Sequence, residues 1–222
     1  MSAAIMAAAA MGSSSARRIY GGLGAALGWF ALALQYGLGP GGALGGASLA
    51  GTVNFFSYFT ILSNLLAALA LSAAAFGRGR GVLTRPVPAT AIALYVTVTA
   101  LIYVLVLRQI WDPQGWLRVA DTLLHYVMPA VFIVYWLLFV PKAALRPGDC
   151  GFFLIFPALY AGYTLIHGAL SGFYPYPFVD VVRLGYPRVA VNMIGLTAAF
   201  AALGWLYCLA ARRLSRGRRR RF

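Results

Sequence analysis

Two histidines, one aspartate and a set of hydroxyl and amide side chains carry most of the chemistry this sequence could do. Asp121 and His125 stand four residues apart, the spacing of neighbours on one helix face. An imidazole is the side-chain base that works near neutrality, and a carboxylate one turn away can hold it in one tautomer. Asp121 also opens its apolar stretch, where a carboxylate caps free N–H groups and meets the positive end of the helix dipole. The two roles are compatible. Pro129 follows His125 by four residues, so its ring should press on the carbonyl of residue 125, delete a hydrogen bond and kink the helix. Upstream, Ser57, Thr60 and Asn64 recur at helical spacing and predict one polar stripe. A threonine hydroxyl is a weak nucleophile and needs a base to take its proton. The bland alternative is that these hydroxyls bond the carbonyl one turn back and do nothing more. Tyr160, Thr164, His167 and Ser171 share a second face by the same arithmetic, and Asn192 opens the last apolar stretch.

The elements that must position these groups follow from composition. Of the 222 residues, 62% are hydrophobic and only 10% charged, an apolar share above that of a soluble globule. Mean hydropathy is +0.81, which excludes a disordered chain, and two cysteines exclude a disulfide-stapled secreted module. A span needs roughly 20 apolar residues, and six runs of that kind are present: 19–39, 53–76, 89–109, 119–140, 151–171 and 189–210. The predicted fold class is all-α, a six-transmembrane-helix bundle in the cell membrane, with no span left over for a second domain. Residues 1–18 read as a tail, frayed at its Ala-rich start, 19–210 as the membrane domain, and 211–222 as a basic tail.

Charge orients the bundle. Of the 18 basic residues, Arg17, Arg18, Arg78, Arg80, Arg85, Lys142, Arg146, Arg212, Arg213, Arg216 and Arg218 to Arg221 fall on one side. Arg108, Arg118, Arg183 and Arg188 fall on the other. Basic residues at span ends stay in the cytoplasm, so both termini are expected there. His125 then lies about 9 Å and His167 about 6 Å below the outer surface, at 1.5 Å per helical residue, with Thr60 at about 10 Å by the same rise. Polar groups from four helices are expected to meet in one layer, and ionisable groups in a span are costly unless paired or used.

The C-terminal arginine run could suggest nucleic acid, but directly after a span it reads as a grip on anionic lipid. The loop from Gly172 to Asp180 alternates aromatics with Pro175 and Pro177. It reads either as an interfacial lid or as an aromatic belt. Gly24 and Gly28, beside Gly21 and Gly22, form a small-xxx-small pair suited to close helix packing. Cys150 and Cys208 have no metal or redox spacing, and neither a metal nor a cofactor is expected.

With these residues on the page, the chain resembles the androgen-induced-gene family of multi-span membrane proteins and their bacterial relatives, over roughly residues 54–192. The segments that carry the likeness are Tyr58-Phe59-Thr60, Asp121 to Pro129 (DTLLHYVMP) and His167 to Asp180 (HGALSGFYPYPFVD). Animal members hydrolyse fatty acid esters of hydroxy fatty acids. The resemblance implies an intramembrane Thr and His as the catalytic pair, matched here by Thr60 and His125.

The enzyme reading makes Thr60 the nucleophile, His125 its base and Asp121 the residue that orients His125. Asn64 or a backbone N–H would serve the oxyanion, and Ser57, His167, Tyr176 and Asn192 would contact a lipid ester entering from the outer leaflet. A second reading is a non-enzymatic protein that binds lipid or a small solute. A third uses His125 and His167 as axial ligands to a b-type haem. No acidic pair or discontinuous-helix pattern is evident to favour a transporter.

Overall fold

The computed structural model describes residues 3–39, 48–77, 81–143, 145–146 and 148–219. Arg78, Arg80, Arg220 and Arg221 lie outside the described residues, as do the side chains of residues 1–13, Cys150, Arg216, Arg218 and Arg219. Among the described residues the secondary structure is entirely helical, without strands. The helices are α1 (Ala3–Leu38), α2 (Leu49–Phe56), α3 (Phe59–Phe76), α4 (Pro86–Leu105), α5 (Gly115–Thr122), α6 (Met128–Phe139), α7 (Asp149–Phe152), α8 (Ile155–Ser171) and α9 (Val181–Arg219). Four helical segments are long and apolar enough to cross a membrane: Phe59–Phe76, Pro86–Gln109, Gly115–Phe139 and Val181–Ser215. The two remaining apolar runs fall on α1 and on α8, which has 17 residues. Helix α1 begins at Ala3, well before its apolar run, so the backbone is helical where the sequence suggests a frayed start.

The chain divides into two compact units that alternate along the sequence, Met1–Leu34 with Ser63–Val140, and Gln35–Leu62 with Pro141–Phe222.

In the first unit, the glycine face of α1 meets α3 and α6. A Cβ on Gly21 would lie 2.9 Å from the Leu71 carbonyl oxygen, and one on Gly28 would lie 2.8 Å from the Met128 methyl. Glycine is what lets the backbones approach this closely. Helix α3 answers with small residues, Ala67, Ala68, Ala70 and Ala74, all fully buried. Polar ties fix the contact, with Arg18 Nε donating to the Ala75 carbonyl at 3.0 Å and the Tyr20 hydroxyl to the Val131 carbonyl at 2.8 Å. Helix α4 starts at Pro86, where a missing N–H costs nothing, and its Thr90 hydroxyl accepts from Trp136 Nε1 of α6 at 2.9 Å.

Between α5 and α6 the chain forms a π turn, Leu123–Val127, closed by Met128 N–H on the Leu123 carbonyl. In that register the Leu124 carbonyl would accept from residue 129, which is proline and has no N–H. Asn64 Nδ2 of α3 donates to this carbonyl instead, at 3.1 Å. The disruption that the sequence predicts at Pro129 is therefore present as a π turn, one of the recognised causes of a helix bend. Leucine at position 64 should destabilise the unit by about 1–3 kcal/mol, the cost of an unmet buried acceptor. Thermal denaturation in detergent, with Asn64→Asp alongside, measures it.

In the second unit, α2 is capped by Ser48, whose hydroxyl accepts from Gly51 N–H at 2.9 Å. The helix then stops. Ser57 and Tyr58 are non-helical and α3 starts at Phe59, so a continuous span from Val53 and a single Ser57–Thr60–Asn64 stripe are both corrected. The stripe fails at Ser57, because the break resets the helical register there, whereas Thr60 and Asn64 stand four residues apart on α3. The absence of a discontinuous helix is corrected with it. Phe59 anchors the restart, its ring 5.4 Å from Phe156, 5.1 Å from Tyr160 and 5.6 Å from Phe200.

Helix α8 ends at Gly172, which takes φ 74°, and α9 contains a non-helical Gly185 at φ 73°. Both are left-handed positions that favour glycine. The segment between them folds back on its own unit. Asp180 closes it by accepting Arg183 N–H at 3.1 Å.

Candidate functional site

Each unit carries a polar cluster of its own. In the first, α5 delivers Asp121 and the π turn delivers His125. The His125 Nδ1 lies 3.2 Å from Asp121 Oδ1 and 3.0 Å from the Asp121 carbonyl oxygen. Two acceptors on one nitrogen favour the tautomer with its proton on Nδ1, which leaves the basic lone pair on Nε2. The other carboxylate oxygen, Oδ2, accepts from the Tyr103 hydroxyl of α4. The Tyr103 ring also stacks on the imidazole, centroids 4.0 Å apart at 19°. Tyr103 and Asp121 are buried, so carboxylate and imidazole are fixed from two helices at once.

Tyr103 is the member that sequence reading misses. It sits in an apolar run 18 residues from Asp121, and a tyrosine near the end of such a run reads as an interfacial anchor. The signal that could have found it is the need of a buried carboxylate for a second donor.

In the second unit the cluster gathers on the helix break. Ser57 Oγ bonds the Val53 carbonyl at 2.8 Å, one turn back, and the Tyr163 hydroxyl at 2.7 Å. The Tyr160 hydroxyl donates to the Ser57 carbonyl at 2.9 Å. His167 Nε2 lies 3.1 Å from Asn54 Oδ1, and its ring stacks on Tyr163 at 5.6 Å. Tyr160, Tyr163 and His167 thus project from one face of α8 onto the carbonyls and hydroxyls that the break releases. Backbone groups without a helical partner must find one in an apolar medium, and aromatic hydroxyls supply it here. Tyr163 and Asn54 are the partners that sequence reading leaves out, although the three- and four-residue spacing from Tyr160 to His167 marks that face.

Thr60 stands in the first turn of α3. Its backbone N–H donates to the Tyr176 hydroxyl at 3.1 Å, and its Oγ1 lies 3.2 Å from the same oxygen. Burial pushes the Tyr176 phenol up to about 12, so at neutral pH it is a donor as well as an acceptor. Tyr58 packs edge-on against Tyr176 and Phe173. Asn192 Nδ2 of α9 holds the Phe178 carbonyl at 2.8 Å. The loop expected to be a lid or a belt is therefore a strap closed over the start of α3 within its own unit.

No family model, curated protein or solved structure matches this chain.

What the residues can do follows from the two clusters themselves. The first is an oriented base: a buried carboxylate, a phenol that pins it, and an imidazole whose outer nitrogen carries the lone pair. The second is a set of donors and acceptors, with Thr60, Ser57, His167, Tyr176 and Asn192 all engaged by neighbours in their own unit. Asn64, expected near an oxyanion, directs its amide to the Leu124 carbonyl. Of the two imidazoles invoked for a haem, His125 lies in the first unit on Asp121 and His167 in the second on Asn54.

Proposed function

We propose that this chain is a six-span membrane protein, both termini cytoplasmic, that hydrolyses lipid esters, with His125 as its general base. The observation that carries the reading is the Tyr103–Asp121–His125 assembly inside an apolar segment. Intramembrane ionisable groups are costly, and a fully partnered set is the form in which function retains them. His125 Nε2 takes a proton from an attacking hydroxyl, whose oxygen bonds the ester carbonyl carbon. The tetrahedral oxyanion collapses, and the leaving alkoxide recovers that proton from the imidazolium. Asp121 keeps the imidazole oriented and stabilises its charge.

The hydroxyl activated by His125 is that of water, while the family resemblance implies Thr60, which lies in the second unit, as a nucleophile. Thr60 stands at a helix start, where its backbone N–H donates to the Tyr176 hydroxyl, so a developing negative charge there would take the place of that hydroxyl. Fluorophosphonate labelling of purified protein tests the assignment. On the Thr60 assignment wild type should label and Thr60→Ala should not; equal labelling of both would remove Thr60 as the nucleophile, and turnover by wild type without any labelling would leave water as the nucleophile.

A second reading, non-catalytic binding of lipid or a small solute, is favoured by the break at Ser57–Tyr58. Broken helices serve binding sites in membrane proteins. Intact lipid retained through purification, with no ester turned over by wild type, would select it.

A further inference from the structure

Arg17 lies one turn before Tyr20, on the α1 face that continues through Gly24 and Gly28 into the packing with α3 and α6. Arg17 is half-buried there. Its Nε is buried and has no hydrogen-bond partner among the described residues. The neighbouring groups are committed, since Arg18 Nε is on the Ala75 carbonyl and the Tyr20 hydroxyl on the Val131 carbonyl. Below them lies an aromatic floor, with Tyr20 stacked on Tyr135 at 6.4 Å and 5.5 Å from Phe139. The Arg17 guanidinium is close enough to the Tyr135 phenol to bear on it electrostatically.

A guanidinium drawn away from water is costly without a counter-ion. The chain has four acidic residues, all aspartates, and among the described residues none is paired with Arg17. Asp121 is held by Tyr103 and His125, Asp149 accepts Arg146 N–H, and Asp180 accepts Arg183 N–H. Asp112 is exposed beyond the C-terminal end of α4, whose 20 residues run about 30 Å. The other end of α4, where Thr90 meets Trp136, carries Arg85. This end of the first unit therefore presents Arg17, Arg18 and Arg85 with no carboxylate. Without an ion pair among the described residues, the Arg17 guanidinium is open to an anion from outside the protein.

We propose that Arg17 binds a phosphate oxyanion at this end of the first unit, the apolar surface around it favouring one carried on a phospholipid headgroup. The guanidinium fork suits phosphate oxygens, which accept two parallel N–H bonds. Tyr20 and Phe139 would flank the headgroup, and Arg18, fixed by Ala75, would add charge. This site is separate from the C-terminal basic run and does not depend on the hydrolase reading.

Native mass spectrometry of the full chain in neutral detergent tests it, with phosphatidylglycerol in one arm and inorganic phosphate in the other. Wild type should retain a phosphatidylglycerol that Arg17→Gln holds roughly tenfold more weakly or worse, with Arg108→Gln, beyond the C-terminal end of α4, unchanged. Arg17→Lys keeps the charge but loses the fork, so it should fall between them, and it carries the test if Arg17→Gln does not fold. A phosphate adduct lost in the same variants, with no difference in lipid retention, would assign the site to free phosphate. Equal retention of both ligands by wild type and the Arg17 variants would overturn the proposal.

Discussion

Asparagine at position 121 is expected, on the proposed hydrolase function, to lower turnover of a lipid ester by roughly 10²- to 10⁴-fold, the usual worth of an effective general base. The Asp121 carboxylate accepts from Tyr103 on one oxygen and faces His125 Nδ1 with the other. An amide has one acceptor oxygen and one NH₂ group. If the oxygen keeps Tyr103, the NH₂ faces Nδ1 and favours the opposite tautomer, which moves the lone pair off Nε2. Substrate binding uses none of this, so kcat should fall while KM stays close to wild type. His125→Gln should lose at least as much. The discriminating outcome is Asp121→Asn at wild-type turnover with a lowered melting temperature. That result would reduce Asp121 to a structural acceptor for Tyr103 and leave His125 without an orienting acid. Asp121 stands inside α5, whose N-cap is Gln114, so the capping role suggested by the sequence is corrected.

Valine at position 168 should unseat the strap of the second unit. A Cβ built on Gly168 falls on the Tyr174 ring, so the ring has to leave the notch that glycine provides on α8. Tyr174 and Tyr176 are separated by a single proline, and a displaced Tyr174 should pull the Tyr176 hydroxyl from Thr60. Hydrogen exchange at the Thr60 amide is then expected to rise roughly tenfold or more, the loss of a bond worth about 1–1.5 kcal/mol. Adding Tyr174→Ala empties the notch for the valine and should restore much of the protection, since the two substitutions touch and their effects do not add. Unchanged exchange in Gly168→Val would mean that Tyr176 holds its place without Tyr174.

How much of this was legible in sequence differs from residue to residue. The apolar runs were plain, because a chain that buries itself in lipid must hide every backbone polar group inside a helix. Four of the six correspond to helices long and apolar enough to span. The glycine stripe on α1 was read correctly as packing, since small residues at helical spacing have one obvious use. Pro129 announced a disrupted helix but not its form: which carbonyl goes without a partner depends on the register of the turn, and the donor that meets it, Asn64, comes from a helix far away in sequence. The break at Ser57–Tyr58 left no proline or glycine to mark it. It is sustained by Tyr160, Tyr163 and Tyr176, none of which is local to it.

The sequence by itself determined that this chain is helical and apolar enough for a membrane, that Asp121 and His125 share one turn, and that α1 packs through glycine. These depend on composition and on spacings within one helix, which the backbone geometry converts directly into shared faces. Only the tertiary structure decided that Tyr103 closes the Asp121–His125 pair, that Tyr176 occupies Thr60, and which partners each polar group finds within its own unit. Such pairings join residues from separate helices. No periodicity encodes them, because they are chosen by whichever packing leaves the fewest buried donors and acceptors unmet.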